Sequence, residues 1–145
     1  MRVVIQRVKK ASLYIENSYK GSIDKGVVVL VGFKKGDSES EVKYIRDKIF
    51  NLRIFEDENG KMNYSVRKIN GDIMLVPQFT LYGDVKNSNR PDFSNAENFS
   101  KANTLFDIFK NEIRKTGLNL LCGEFGKEML VEIHNDGPVT IIIDK

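Results

Sequence analysis

Few side chains in this 145-residue chain are equipped for chemistry, and they gather in a few short runs. In "VPQFTLYG", residues 76–83, strand alternation puts Gln78 and Thr80 on one face and Pro77, Phe79 and Leu81 on the other. Two polar groups on one face make either a solvated sheet surface or a hydroxyl poised as donor or nucleophile. A threonine nucleophile needs a base beside it, and no histidine or lysine with a matching signature accompanies Thr80. His134, the only histidine, reads at a strand end as a surface or turn residue sooner than as that base. Arg7 alternates with Val3 and Ile5, so a regular strand points its guanidinium to an apolar face. There it either reaches an edge or fixes a neighbouring segment through several hydrogen bonds. "HNDGPVTIII", residues 134–143, interrupts an apolar run with Asn135, Asp136, Gly137 and Pro138, four turn-formers where two make a tight hairpin. Gly123 and Gly126 in "CGEFGKEM" mark an ordinary loop or a close backbone approach, with Phe125 anchored in the core.

Several chemistries are absent from this inventory. One cysteine, Cys122, excludes an internal disulfide, and one histidine leaves no histidine pair for a metal, so neither a zinc site nor any cofactor is expected. Gly32 and Gly36 flank lysines at a spacing that fits no phosphate loop. The acids of "EDENGK" lack the terminal glutamate of a calcium loop. The net charge of +3 does not by itself announce a nucleic-acid partner, and the cations grouped at Lys9–Lys10, Lys34–Lys35 and Lys86 to Arg90 read as solvated surface. No stretch approaches the roughly 18 apolar residues of a membrane span. "MRVVIQRVKK" has charges where a signal peptide has its apolar core, so a cytoplasmic location is expected.

The elements that must position these residues follow from periodicity. With 41% hydrophobic and 30% charged residues the chain reads as one α/β domain, residues 1–145. Residues 2–8, 11–16 and 26–33 are Val- and Ile-rich strands, with turn material at 17–21 and 24–26. Ser38 and Glu41 have capping-box spacing ahead of Val42, Ile45, Ile49 and Leu52, which predicts a helix over about 39–52. Asn59-Gly60 is a hairpin-type turn, and "DIMLVPQFTLYG" a β run interrupted by Pro77. Ser94 and Glu97 repeat the capping-box spacing before a second helical stripe of Phe99, Ala102, Phe106, Phe109 and Ile113, stopped by Gly117. A short strand near 118–122 and two closing strands near 129–134 and 138–143 complete a compact α/β domain of mixed sheets and two main helices, in the order βββ-α-β-α-βββ. Each helix covers one face of a sheet, so the other face needs a second sheet or a partner subunit.

Taken together, "QRV" at 6–8, "PQFTLYGD" at 77–84, "NRPDFS" at 89–94, "GEFGKEM" at 123–129 and "NDGPVT" at 135–140 resemble the D-aminoacyl-tRNA deacylases, often called D-tyrosyl-tRNA deacylases. The likeness is collinear and spans essentially the whole chain. The Gln-Phe-Thr run and the Asn-x-Gly-Pro-x-Thr run are specific when found together in this order. The resemblance implies a metal-free homodimeric enzyme that cleaves the ester joining a D-amino acid, or glycine mischarged on tRNA(Ala), to the terminal adenosine of tRNA. It implies no DNA partner and no membrane.

In such enzymes Gln78, Phe79 and Thr80 would line a site at the subunit interface. The Gly137–Pro138 turn of the other subunit, with its peptide bond in cis, would reject L side chains by backbone geometry. Main-chain N–H groups near Phe79 and Thr80 would stabilise the oxyanion, and the substrate 2′-hydroxyl would help direct water. Arg7 would brace the turn. Phe125, Gly126 and Met129 would help form the adenosine pocket. Pro77 stands where this family usually has serine, and Lys127 where it more commonly has a small residue. The alternative reading is a non-catalytic protein that binds the acceptor end of tRNA on the same fold.

Overall fold

The computed structural model describes residues 1–145. Its elements are β1 (Arg2–Ile15), β2 (Ser18–Ile23), β3 (Gly26–Gly32), α1 (Glu39–Asn51), β4 (Phe55–Glu56), β5 (Met62–Tyr64), β6 (Asp72–Pro77), a 3₁₀ turn (Phe79–Tyr82), α2 (Phe99–Arg114), β7 (Leu120–Cys122) and β8 (Met129–Asp144). The main sheet runs β2-β1-β3-β6-β7, with β8 along the other edge of β1. β1 is antiparallel to β2, β3 and β8, whereas β3–β6 and β6–β7 are parallel. The mixed sheet and the two helices agree with the expected class. β4 and β5 pair across the Asn59-Gly60 turn as a separate ribbon.

The expected strands 2–8 and 11–16 are one strand, β1, with a dislocation in its middle. Opposite β8, the two steps from Val8 to Lys10 face only one step, from Asn135 to His134, so β1 carries an extra residue there. A one-residue slip exchanges the faces of a strand. Before it, the odd positions Val3 and Ile5 join the core beneath the helices; after it, the odd positions Ala11, Leu13 and Ile15 join the core on the opposite face. Lys9 and Lys10 lie exposed at the slip. β2 falls where only a turn was expected, because "SYKGSI" is an edge strand whose side chains are mostly exposed and carry no apolar period. Its entry uses left-handed backbone at Glu16 (φ 51°) and Asn17 (φ 62°).

The slip also settles what covers the central strands. β3 is apolar throughout and β6 is apolar after Asp72: Val27, Val29, Val31, Ile73 and Leu75 pack under Val42, Ile45 and Ile49 of α1 and Phe106, Phe109 and Ile113 of α2. Their other faces, Val28, Met74 and Val76, are covered by Leu13, Ile15 and Ile23 from the folded-over half of β1 with β2, helped by Met129, Val131 and Ile133 of β8. The chain thus supplies its own second layer and the sheet is nearly a barrel. Burying each such side chain contributes roughly 1.5–3 kcal/mol.

Helix starts show how far local spacing carries. Ser38 caps α1 with the full capping box, and its hydroxyl, helped by its N–H, holds the Glu41 carboxyl down to about 2. The matching Ser94/Glu97 spacing does not start α2. Asn98 is the cap, accepting from Lys101 N at 3.0 Å, because the preceding segment is tied to the end of β3 by Glu97 N to Phe33 O (2.9 Å) and Lys35 N to Asn95 O (3.1 Å). Gly117, at φ 78°, ends α2 as expected.

Two further expectations are corrected. The run after Pro77 is not strand: Gln78 N donates the last ladder bond to Val31 O (2.7 Å), and the chain then turns through Phe79–Tyr82. Gln78 and Thr80 therefore do not share a pleated face. Nor do residues 129–134 and 138–143 form two strands around a hairpin; both halves of β8 run antiparallel to the same β1, so the four turn-formers are a bulge in one strand.

The pairing of β3 with β6 requires glycine at its first rung. A Cβ built on Gly26 would lie 2.0 Å from the Asp72 carbonyl oxygen, which belongs to backbone. Gly26→Ala is expected to lower the unfolding free energy by about 1–3 kcal/mol, read as an earlier urea midpoint at unchanged slope; an unchanged midpoint would contradict this close approach.

Candidate active site

The end of β6, the 3₁₀ turn and the 123–129 loop enclose an open cleft of about 470 Å³ whose lining includes Pro77, Gln78, Phe79, Phe125, Gly126 and Met129. Pro77 pairs with Val31 but has no N–H of its own to donate to a neighbouring strand, and the ladder with β3 ends one residue on, at Gln78 N. Gly32 lets the turn settle on β3, since a Cβ there would stand 3.0 Å from Gln78 O and 3.2 Å from Leu81 Cβ. Within the turn Leu81 N bonds Gln78 O (3.3 Å) and Gly83 N bonds Thr80 O (2.9 Å). The first N–H groups, those of Phe79 and Thr80, have no acceptor inside such a turn. The Gln78 amide nitrogen donates to the Thr80 hydroxyl, which keeps the two side chains on one side of the turn.

The loop opposite is held by Gly123 N donating to Leu75 O (2.8 Å) and by Gly126 at φ 73°. Phe125 is half-buried among Phe33, Phe99 and Phe106, with ring centroids 6.4, 5.8 and 5.4 Å away. Phe79 is 51% exposed and meets Phe93 edge-on at 5.1 Å. A smaller apolar hollow of about 270 Å³ between Phe79, Phe99, Ala102 and Phe125 adjoins the cleft. The helical period makes Phe99 part of a buried stripe, yet it is 60% exposed and faces this hollow.

The second group of expected residues lies on β8. From Asn135 to Thr140 the strand takes five steps against two from Gln6 to Val8, so a loop of backbone stands out opposite Arg7. Arg7 is only 6% exposed. Its Nη1 donates to Ile54 O (2.5 Å) and its Nε to Asp136 O (3.3 Å), and the Asp136 carboxylate lies 3.3 Å from Nε. The Gly137–Pro138 peptide is cis, and Gly137 is at φ 114°. Asn135 closes the bulge: with its amide nitrogen turned inward it donates to Arg7 O (2.9 Å) and Val139 O (3.2 Å), while its oxygen accepts from the Thr140 hydroxyl (3.2 Å). Along the sequence Asn135 is one turn-former among four, and its position at the head of the run is the signal for this closing role.

The chain therefore brings its expected site residues into two places. Gln78, Phe79, Phe125, Gly126 and Met129 share the cleft, and Thr80 is joined to Gln78. Arg7 and Gly137 flank a different hollow of about 330 Å³, with Lys9, Lys25, Phe55 and Asp136, which shares no lining residue with the cleft. Gly137 and Pro138 are exposed. His134 is exposed on β8 opposite Lys10 and does not line the cleft. Burial pushes the Cys122 thiol up to about 11, which keeps it protonated and a poor nucleophile. The Tyr82 phenol is pushed to about 12, chiefly by burial.

Comparison with known proteins agrees with this architecture. The pattern of the family described as D-Tyr-tRNA(Tyr) deacylase matches residues 4–144. D-aminoacyl-tRNA deacylases of Clostridium perfringens strain 13 and Bacillus cytotoxicus are each 49% identical over 144 residues, 99% of this chain, covering 97% and 99% of those proteins. A solved structure described as c-Myc DNA unwinding element binding protein superposes with a TM-score of 0.94 at 39% identity, covering 100% of this chain and 99% of that one. Another, of a probable eukaryotic D-amino acid tRNA deacylase, shares the fold with a TM-score of 0.86 at 20% identity, covering 99% and 98%. With its residues matched almost end to end, the chain belongs to the D-Tyr-tRNA(Tyr) deacylase family.

Proposed function

We propose that this chain, acting as one domain over residues 1–145, hydrolyses the ester of D-aminoacyl-tRNA to free D-amino acid and tRNA. The observation that carries the reading is full-length kinship: relatives named D-aminoacyl-tRNA deacylase are about half identical over 99% of the chain. The reaction class belongs to translational quality control, and its substrate places it in the cytoplasm.

The chemistry asked of the site is modest, because an aminoacyl ester is already activated. Water adds to the ester carbonyl, the carbonyl oxygen becomes an oxyanion, and the bond to the ribose oxygen breaks as that oxygen takes a proton. The N–H groups of Phe79 and Thr80 receive the oxyanion; each preorganised donor of this kind contributes about 10²–10³ in rate. The neighbouring ribose hydroxyl directs the water, and Thr80, held by Gln78, positions the ester instead of attacking it. Phe125, Gly126 and Met129 receive the terminal adenosine. Nothing in this route needs a metal or cofactor. It also tolerates Pro77, since no serine hydroxyl takes part.

Selection between enantiomers belongs to Gly137 and Pro138. The bulge and the cleft are separate hollows in one chain, which favours a homodimer in which each bulge enters the partner's cleft. β8 supports that assembly. It pairs only with β1, leaves its outer edge unpaired over Met129–Asp144, and exposes Leu130 (59%) and Ile142 (64%). A long unpaired edge of this kind is normally covered. A backbone wall tests the substrate's α-carbon and not its side chain, so D-amino acids of several kinds pass, and glycine mischarged on tRNA(Ala) passes as well.

Single-turnover hydrolysis should release D-tyrosine from D-tyrosyl-tRNA while L-tyrosyl-tRNA decays at its spontaneous rate. Binding of tRNA without any release would instead identify a non-catalytic acceptor-end binder.

Light scattering at micromolar concentration should give twice the chain mass. A monomer with full activity would exclude a shared site.

Gly137→Ala places a Cβ 2.8 Å from Arg7 Nη2 and 2.9 Å from Val139 Cγ2 on left-handed backbone. It should lower kcat/KM on D-tyrosyl-tRNA about tenfold or more, a loss of about 1.4 kcal/mol or more in transition-state binding, with dichroism near wild type. Arg7→Lys retains the charge but not the planar fork and should fall between the two; full activity in Gly137→Ala would remove the bulge from the site.

A further inference from the structure

The 3₁₀ turn has a second hollow beyond the cleft. Tyr82 and Gly83 line an open space of about 440 Å³ together with Arg2, Lys34, Lys86 and Asn95. Two segments distant in sequence are stitched together here. Lys34 pairs with Ala96, Lys35 N donates to Asn95 O (3.1 Å), and the loop carrying Lys86 and Arg90 is closed by reciprocal bonds between Asp84 and Asp92 (2.8 and 2.9 Å). Lys34 and Lys86, which belong to two separate cation groups along the chain, thus share one hollow, and Lys35 and Arg90 belong to the same two stitched segments.

The acids nearby offset this positive charge only in part. Asp84 lines the hollow and Asp92 feels the charge of Lys35, yet neither forms an ion pair within 4.0 Å. Both carboxylates are held by neutral donors of their own loop, Asp84 by Lys86 N (2.9 Å) and Asp92 by the hydroxyl and N–H of Ser94 (2.7 and 2.9 Å). Glu97 pairs with Lys101 (2.9 Å), Asp144 with Arg2 (2.6 Å), and buried Asp37 with the Met1 ammonium (2.8 Å). None of Lys34, Lys35, Lys86 and Arg90 takes part in an ion pair within 4.0 Å. Like charges gathered on one face repel one another and gain most from a polyanion.

Position identifies the polyanion. Phe79 lines the cleft and Tyr82 the basic hollow, and they are the two ends of one turn. At about 2.0 Å per residue they lie roughly 6 Å apart along it, on the order of two nucleotide steps at about 3.4 Å per strand. We propose that Lys34, Lys35, Lys86 and Arg90 bind backbone phosphates of the tRNA acceptor strand just behind the terminal nucleotide; the assignment rests on the deacylase reading, which puts that nucleotide in the cleft. Phosphate contacts hold register without reading sequence. The face therefore supplies affinity for any tRNA and leaves selection to the aminoacyl end.

The test compares Lys34→Gln/Lys35→Gln/Lys86→Gln/Arg90→Gln with a variant of equal charge loss elsewhere, Lys20→Gln/Lys48→Gln/Lys61→Gln/Lys68→Gln. Binding of uncharged tRNA is measured against salt. The first variant should flatten the slope of log K against log salt by about 3, at roughly 0.7–0.9 per phosphate contact, and the second should leave it within one. In parallel, the ratio of kcat/KM on D-tyrosyl-tRNA to that on the D-tyrosyl ester of adenosine should fall about tenfold in the first variant only. Equal slopes in the two variants, or an unchanged ratio, overturns the proposal. Failure of the deacylase reading looks different: the wild type hydrolyses neither ester, and the binding slopes alone then decide whether this face holds phosphate.

Discussion

A single dislocation in β1 organises the molecule. A strand shows alternate residues to alternate faces, so a strand serving two cores on opposite sides of a sheet must either end or slip. β1 slips at Lys9–Lys10, passing its odd-numbered apolar residues from the helix-side core to the far one. That step lets one strand pair with β3, β2 and β8 and folds the sheet over itself. The far faces of β3 and β6 are thereby covered from within the chain. Just ahead of the slip, β8 must take up a mismatch of its own, and there its backbone swings outward opposite Arg7.

The bulge would be a weak point without Arg7. A guanidinium that is 6% exposed is costly to bury unless its donors are used. Bonds to Ile54 and Asp136, with the Asp136 carboxylate close by, use them. Asn135 secures the other side by joining the Arg7 and Val139 carbonyls. The bulge is thus held from β1 and from the segment after α1, leaving the exposed backbone of Gly137 and Pro138 with little freedom to yield. Rigidity of this kind is what the proposed selection between enantiomers by shape would require.

The cleft follows a similar logic of backbone held by close contacts. Pro77 ends the strand, Gly32 gives the turn room, and Gly123 anchors the facing loop to Leu75. What faces substrate in the proposed reaction is main chain, supported by a glutamine and a threonine that position more than they react. In that proposal the reactive environment is assembled from peptide groups, which every residue carries, and no complete set of nucleophile and base is needed. The adjoining basic face adds charge where the proposed substrate is most uniform.

The fold class, both helices, the β character of the three N-terminal segments and, through two short motifs, the family are legible along the chain. Each rests on local signals: apolar period, capping spacing, and residues whose identity is restricted wherever they occur. Ser38 and Glu41 could be read because a capping box closes within four residues. Ser94 and Glu97 misled because distant ties to Phe33 and Lys35 overruled the same spacing. β2 was silent because an exposed edge strand needs no apolar period. Contacts between distant segments make the turn-formers at 135–138 a bulge and not a hairpin, put Gln78 and Thr80 in a turn and not a strand, and bring Lys34 and Lys86 to one hollow. Those outcomes depend on register and on contacts between segments dozens of residues apart, and a pattern read along one segment carries no information about the partner that fixes its register.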